Sequence, residues 1–171
     1  NMPIRIAIDA MGGDYAPYEV IKGAVMAARQ YNVKLQLVGK TEKINTELQK
    51  YNTEGLDIII TEAEEVIEMH ESPGIAIRKK KNSSIVMAVD AVAKGESQAL
   101  VAAGSTGAAM AASLFGLGRL PGIDRPAIAV TLPTSKKPIV LIDAGANSSC
   151  EPEMLQQFAV MGSIFSSSIL G

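Results

Sequence analysis

The sequence predicts an α/β protein of three layers, helix on sheet on helix, around a mainly parallel sheet. Three observations carry that expectation. Strand-like and helix-like segments alternate along almost the whole chain, and repeated crossovers of that kind bring parallel strands together with one handedness. Some of the strand-like runs are continuously apolar, as strands covered on both faces are. The 171 residues, 47% of them apolar, are also enough to bury a substantial core. No internal repeat, low-complexity tract or linker-like stretch interrupts them, so 1–171 is read as a single α/β unit.

Taken in order, residues 4–9, "IRIAID", alternate as a strand does. The glycine pair of "DAMGGD" turns the chain, and Pro17 opens a helix over about 17–31, where a missing N–H costs nothing in the first turn. Val20, Ile21, Ala24, Val25 and Ala28 share one face of that helix. Residues 33–39 alternate as a half-buried strand, and 41–51 form a polar surface helix with Thr41 as N-cap. The run 56–61, "LDIIIT", has the composition of a strand covered on both faces. Ser72-Pro73 starts a short helix that ends near the basic cluster, and 83–96 is a helix stopped by Gly95. Strand 98–103 leads into helix 106–118. Two further buried strands, 126–133 and 138–145, precede a closing helix over 152–170.

Composition narrows the functional classes. Lys and Arg number 16 against 18 Asp and Glu, and a net charge of -2 offers no polycation to hold a nucleic-acid backbone. The single cysteine, Cys150, cannot form an internal disulfide, and the N-terminus lacks a signal-peptide pattern, so a cytoplasmic protein is expected. Asn1 before Met2 reads as an expression remnant. Residues 97–118 carry no charge, but they are rich in Ala, Gly and Ser, and the Gly104-Ser105-Thr106-Gly107 break suits a buried strand and helix better than a membrane span. The apolar end of the chain, without a polar tail, points to the N-terminal portion of a longer protein.

Ligands of open parallel sheets bind at the carboxyl ends of the strands. Three predicted strand ends carry small or hydrogen-bonding residues. Asp9, Gly12, Gly13 and Asp14 follow the first strand; Gly104, Ser105, Thr106 and Gly107 follow the fourth; Asp143 and Asn147 follow the sixth. A glycine-rich turn entering a helix exposes unpaired N–H groups and the positive end of the helix dipole, which suits a phosphate. The same residues also suit an ordinary turn with a Ser or Thr cap, and both readings stand at this point. No Walker loop and no G-x-G-x-x-G opens a helix, so neither nucleotide nor other cofactor is expected. Two carboxylates without further ligands define no metal site. In "RKKKNSS", Arg78 to Lys81 form either a solvated helix face or a patch for an anionic partner, with Asn82 following. His70 is the only histidine and builds no catalytic triad, and Cys150 has no histidine near it in sequence; neither is taken as catalytic. The catalytic acid or base stays unassigned.

At these residues a family resemblance emerges. "RIAIDAMGGDYAP", "RKKKNSS", "AGSTGA", "GIDRPAIAVTLPT", "DAGAN" and "PEMLQQFAVMGSIFSSSILG" occur in the order and approximate spacing of the PlsX family, the phosphate acyltransferases of bacterial phospholipid synthesis. The resemblance implies transfer of a long acyl group from acyl carrier protein to inorganic phosphate. It further implies a fold similar to phosphotransacetylases and isocitrate/isopropylmalate dehydrogenases, a homodimer, peripheral membrane association, and a downstream membrane acyltransferase that takes the acyl phosphate. Two departures matter. Family members are considerably longer, and Ser148 and Ser149 stand where many relatives carry Val-Asp, so no role is transferred to them. On this reading Ser105, Thr106 and the amides around Gly104 and Gly107 hold phosphate or the oxyanion. Lys81 and Asn82 supply charge and orientation, Asp9, Asp14, Asp143 and Asn147 fix the floor of the cleft, and Gly12 and Gly13 admit the substrate to the main chain. The competing expectations are a phosphotransacetylase-like enzyme using acyl-coenzyme A and a noncatalytic module that docks a carrier protein through its basic run.

Overall fold

The computed structural model describes residues 4–171; Asn1, read above as a remnant, lies outside them. The chain divides into two compact units, Asn1–Gly118 and Arg119–Gly171.

In the first unit, strands β1 (Arg5–Asp9), β2 (Lys34–Gly39), β3 (Ile58–Glu62) and β4 (Ala99–Ala102) form one sheet in the order β3-β2-β1-β4. All three pairings are parallel, with Asp9 level with Val38 on one side and with Ala102 on the other. Helices α1 (Tyr18–Gln30), α2 (Thr41–Leu48), α3 (Pro73–Lys79), α4 (Ser84–Ala93) and α5 (Thr106–Leu117) make the crossovers and connections. Successive residues of a strand face opposite sides. Accordingly Ile8, Leu35 and Leu37 pack with Ile21, Ala24, Val25 and Ile44 of α1 and α2, whereas Ala7 and Val38 pack with Ala88 and Ala91 of α4. Leu100 and Ala102 of β4 border a third cluster with α3, α4 and α5. The three-layer, parallel α/β expectation therefore holds for this unit.

Local expectations fared according to how much they depended on neighbours. Pro17 stands immediately before α1 and its carbonyl accepts from the Ile21 N–H at 2.8 Å. Ser72-Pro73 does start α3, and Gly95, at φ +76°, follows the end of α4. Thr41 is not the cap of α2. Lys40 is, and the Thr41 N–H donates to Glu62 Oε2 at 3.0 Å, a partner from the neighbouring strand. Strand β2, expected half-buried, is almost wholly buried because it lies between two others, while the apolar β3 is an edge strand with Ile59 42% exposed.

The second unit contains β5 (Ala129–Leu132), β6 (Ile139–Ile142) and α6 (Pro152–Phe165), continued by a π turn over Ser166–Leu170. The two strands expected to be buried pair instead as an antiparallel hairpin with both strands partly exposed. The polar link "PTSKKP" between them decides this, since parallel neighbours need a crossover of about a dozen residues. Against this hairpin, Gly162 of α6 packs on the side chain of Ile142. No helix among the described residues is long and apolar enough to cross a membrane.

Candidate functional site

Adjacent parallel strands end at the same edge of a sheet, so the loops following β1 and β4 emerge side by side. They touch. A Cβ built on Gly104 would lie 2.9 Å from Gly12 Cα and 3.2 Å from the Gly13 nitrogen; one on Gly12 would lie 2.5 Å from Asp9 Oδ2 and 3.2 Å from Gly104 Cα. Gly13, at φ +115°, holds a backbone conformation open chiefly to glycine, with the Ala103 carbonyl 3.0 Å from where its Cβ would be. The glycines thus bring two main chains together with no side chain between them. The space opened by Gly12 is taken by Asp9 and Gly104, and the close approach that the sequence reserves for a substrate is here made between the loops themselves.

Strand parity turns Asp9 to the α4 side, the side of Ala7. Its carboxylate is 4% exposed, and Oδ1 accepts the Met11 and Gly12 N–H groups, each at 3.1 Å. Burial pushes the Asp9 carboxyl above the ordinary aspartate range, against the lowering effect of the Ser84 hydroxyl directed at it and of the Met11 and Gly12 amides. Ser84 is the first residue of α4. Sequence reasoning missed it, treating the serine pair as no more than a helix start; two adjacent hydroxyls directly after a basic run were the available signal. Beside it the fully buried Ser83 hydroxyl has no hydrogen-bond partner among the described residues. Asp14, by contrast, is exposed.

The loop after β4 delivers the chain into α5. Ser105 is its N-cap, with Oγ accepting from the Ala108 N–H at 3.2 Å, and the Ser105 carbonyl accepts from Ala109 at 2.9 Å. Accepting through a lone pair leaves the Ser105 O–H able to donate. The first helical amides, Thr106 and Gly107, have no acceptor within the helix, so they, the exposed Thr106 side chain and the dipole form a donor set. Gly107 in turn lets Pro73 of α3 approach, its Cγ only 2.8 Å from where a Cβ on the glycine would stand.

The basic run is divided by the fold. Lys80 ties α3 to the preceding loop, with Nζ donating to Glu71 Oε2 and to the Val66 carbonyl, both at 2.7 Å. Arg78 lies over the Phe115 ring, 5.3 Å from its centre. Lys81 and Asn82 are exposed at the start of α4, and the Asn82 main-chain N–H donates to Glu65 Oε2 at 3.2 Å. His70 is exposed beside Glu71 and contributes to no cluster.

In the second unit Asp143 and Asn147 meet each other. Asn147 Nδ2 donates to Asp143 Oδ1 at 2.9 Å and to the Pro126 carbonyl at 3.1 Å, while Asp143 itself has φ 59°, a left-handed conformation that Asp tolerates better than most residues. The Cys150 thiol points at Asp143 Oδ2, 3.7 Å away. Burial, and then the Asp143 carboxylate, push that thiol up from its ordinary value, with Arg125 opposing weakly, so Cys150 is a protonated thiol at neutral pH. No cluster of metal-ligating residues exists among the described residues.

Comparison with known proteins decides the family. The model of the fatty acid synthesis protein family matches residues 4–171. The chain belongs to that family. This is the PlsX assignment read from the motifs. Among curated family relatives, the phosphate acyltransferase of Pelotomaculum thermopropionicum is 58% identical over 98% of this chain and 49% of its own length. Those of Desulforamulus reducens and Geobacter sulfurreducens are 56% and 49% identical, each over 98% of this chain. The chain spans about half the length of these relatives. Two solved structures share the fold: a phosphotransacetylase from Streptococcus pyogenes (TM-score 0.72, 18% identity, 96% of this chain and 54% of that one) and the EutD phosphotransacetylase from Staphylococcus aureus (TM-score 0.67, 17% identity, 97% and 53%). The phosphotransacetylase-like expectation for the fold is thereby met.

Proposed function

We propose that this chain is the N-terminal portion of an acyltransferase that moves a long-chain acyl group from acyl carrier protein to inorganic phosphate, giving acyl phosphate for phospholipid synthesis. The observation that carries the proposal is the contact of the Gly12-Gly13 loop with Gly104. It sets bare main chain beside the unpaired Thr106 and Gly107 amides at the carboxyl edge of the sheet. Names of the relatives, each a phosphate acyltransferase, support the same chemistry.

Phosphate is already a nucleophile, so attack on a thioester needs no serine or cysteine from the protein. It needs the anion held in line and the developing oxyanion stabilised. Ser105, Thr106 and the amides from Gly104 to Gly107 take the anion; Lys81 contributes charge and Asn82 orientation. Asp9 acts from behind, fixing the loop through Met11 and Gly12 while Ser84 links it to the start of α4, which Lys81 and Asn82 directly precede. Asp14 adds to the floor of the cleft, and Asp143 with Asn147 are assigned to substrate binding on the motif that carries them. The enzyme on this reading is a cytoplasmic homodimer, peripheral at the inner face of the membrane, that hands its product to a membrane acyltransferase.

In the full-length enzyme, Thr106→Ala and Lys81→Ala should each lower kcat/KM for phosphate. A hydrogen bond to a charged group is worth about 1.5–3 kcal/mol, roughly 10- to 100-fold in rate. Unchanged kinetics in both variants would remove the assignment. Supplying the acyl group on carrier protein and on coenzyme A in parallel separates the proposed donor from its rival.

A further inference from the structure

The first unit holds an open cavity of about 460 Å³, lined by α3, α4 and α5 and by none of the glycines of the two loops. That volume lies in the range of roughly 300–1,000 Å³ typical of small-molecule sites. Its walls are apolar: Ile77 of α3, Val86, Met87 and Val89 of α4, Ala112 and Phe115 of α5. Where α5 crosses α4, Gly116 meets Val89, whose Cγ1 stands 2.5 Å from a Cβ position on the glycine. The rest of the lining is polar apart from Gly116. Arg78, Lys81 and Asn82 make it up together with Asp90, and the Asp90 carboxylate is answered by Lys94 at 2.6 Å. Neither Arg78 nor Lys81 has an ion-pair partner among the described residues, so the rim is left cationic.

We propose that this cavity receives the hydrocarbon chain of the acyl group, with the anionic head of an acyl phosphate set against Lys81 and Arg78. The inference rests on the function proposed above and adds to it where the chain goes. A long alkyl chain wants a dry, apolar slot with no hydrogen-bonding demand, and an anion at one end wants unpaired cations. The cavity offers both in that order. Orientation follows from the sequence of α4. Lys81 and Asn82 lie directly before Ser83 and Ser84, and the Ser84 hydroxyl reaches Asp9 under the glycine loops, so Lys81 marks the part of the rim nearer the anion cradle, with Arg78 further along over Phe115. Asp90 lies six residues beyond Ser84, about 9 Å further along the helix, so the acidic lining residue, paired with Lys94, stands away from Lys81 and toward the tail. Phe115, 60% exposed and covered by the Arg78 guanidinium, forms part of the wall near that rim.

The test uses the full-length enzyme and has two arms. In the first, kcat/KM is measured for long- and short-chain acyl donors with Val86→Trp, which fills the cavity, and Phe115→Ala, which removes an exposed wall without packing strain. The long-to-short ratio should fall at least about tenfold for Val86→Trp, since even one methylene in an apolar pocket is worth that order. A smaller fall is expected for Phe115→Ala, which serves alone if the tryptophan variant does not fold. In the second arm, calorimetry follows binding of hexadecylphosphonate and of butylphosphonate, with no turnover required. The long probe should bind more tightly, and lose that advantage in either variant; Lys81→Gln should weaken both probes. An unaltered chain-length ratio together with unaltered hexadecylphosphonate binding would overturn the inference. So would a result in which the variants impair only donors carried on acyl carrier protein, because the cavity would then be a protein-docking groove. Chain-dependent phosphonate binding that disappears in the variants, in a wild-type enzyme that transfers nothing to phosphate, would sustain the cavity assignment while the proposed reaction failed.

Discussion

Replacing Gly104 by alanine puts one methyl group between the two loops that form the candidate site. Its Cβ would stand 2.9 Å from Gly12 Cα and 3.2 Å from both the Gly12 carbonyl carbon and the Gly13 nitrogen. All three are main-chain atoms, so no rotamer change relieves the contact; the loops must part. Gly104 is not among the glycines with positive φ, so alanine meets no conformational penalty there and even gains about 0.4–1 kcal/mol by restricting the unfolded chain. Overpacking of this kind costs about 1–3 kcal/mol, so mid-range values of the two effects leave a net loss of about 1 kcal/mol. Gly23 provides the opposite case. It lies within α1, is exposed, and has nothing within 4 Å of a Cβ, so Gly23→Ala should add about 0.5–1 kcal/mol through helix propensity. With a urea dependence of about 1–3 kcal/mol per molar, the two midpoints should separate by roughly 1 M, one on each side of wild type. Urea unfolding followed by far-ultraviolet circular dichroism gives the comparison. A Gly104→Ala protein as stable as wild type would show that the loops do not pack as described, and the site would lose its foundation.

Other outcomes follow from polar and titratable groups. Because the folded pKa of Asp9 is raised, its contribution to stability is complete below the unfolded value of 3.8 and is lost as pH rises through the folded one. Asp9→Asn keeps an acceptor for Met11 and Gly12 and cannot ionise, so it should unfold no more easily than wild type at pH 7 and should flatten the stability profile on the acid side, as urea midpoints across roughly pH 3–7 would reveal. Asp57 behaves oppositely. Lys34 and then Arg5 hold its carboxyl low, so its contribution is present above 3.8 and disappears as pH falls through the depressed value; Asp57→Asn should abolish that part of the acid-side loss in the same titration. Ser97 Oγ donates to Gln36 Oε1 at 2.7 Å, and both residues are buried. Removing that donor in Ser97→Ala should cost about 1–3 kcal/mol by denaturant titration, with an unchanged midpoint counting against the bond. Iodoacetamide should alkylate Cys150 more slowly than a free thiol at about pH 8, and Asp143→Asn should speed the reaction by removing the nearby negative charge.

Much of the fold follows from local physics written into the sequence. The period of apolar residues placed α1, the turn chemistry of Ser72-Pro73 and Gly95 marked the start of α3 and the end of α4, and the strand-helix alternation called for a parallel sheet. Family motifs, in order and register, were equally legible, since they need only composition at fixed spacing. Exposure and pairing were different. "LDIIIT" reads as an interior strand yet lies at an edge, the alternating 33–39 lies inside, and the last two strands form an exposed hairpin, because strand order depends on which crossovers close and not on any one segment. The same limit governs the site. Sequence alone marked Asp9, Gly12, Gly13, Gly104 and Ser105 as residues at strand ends. Only the neighbouring positions of β1 and β4 put Gly12 against Gly104, only strand parity turned Asp9 toward Ser84, and only the packing of three helices opened a cavity between Val86 and Phe115. Proximity between residues far apart in the chain is a property of the assembled layers, and no local propensity encodes it.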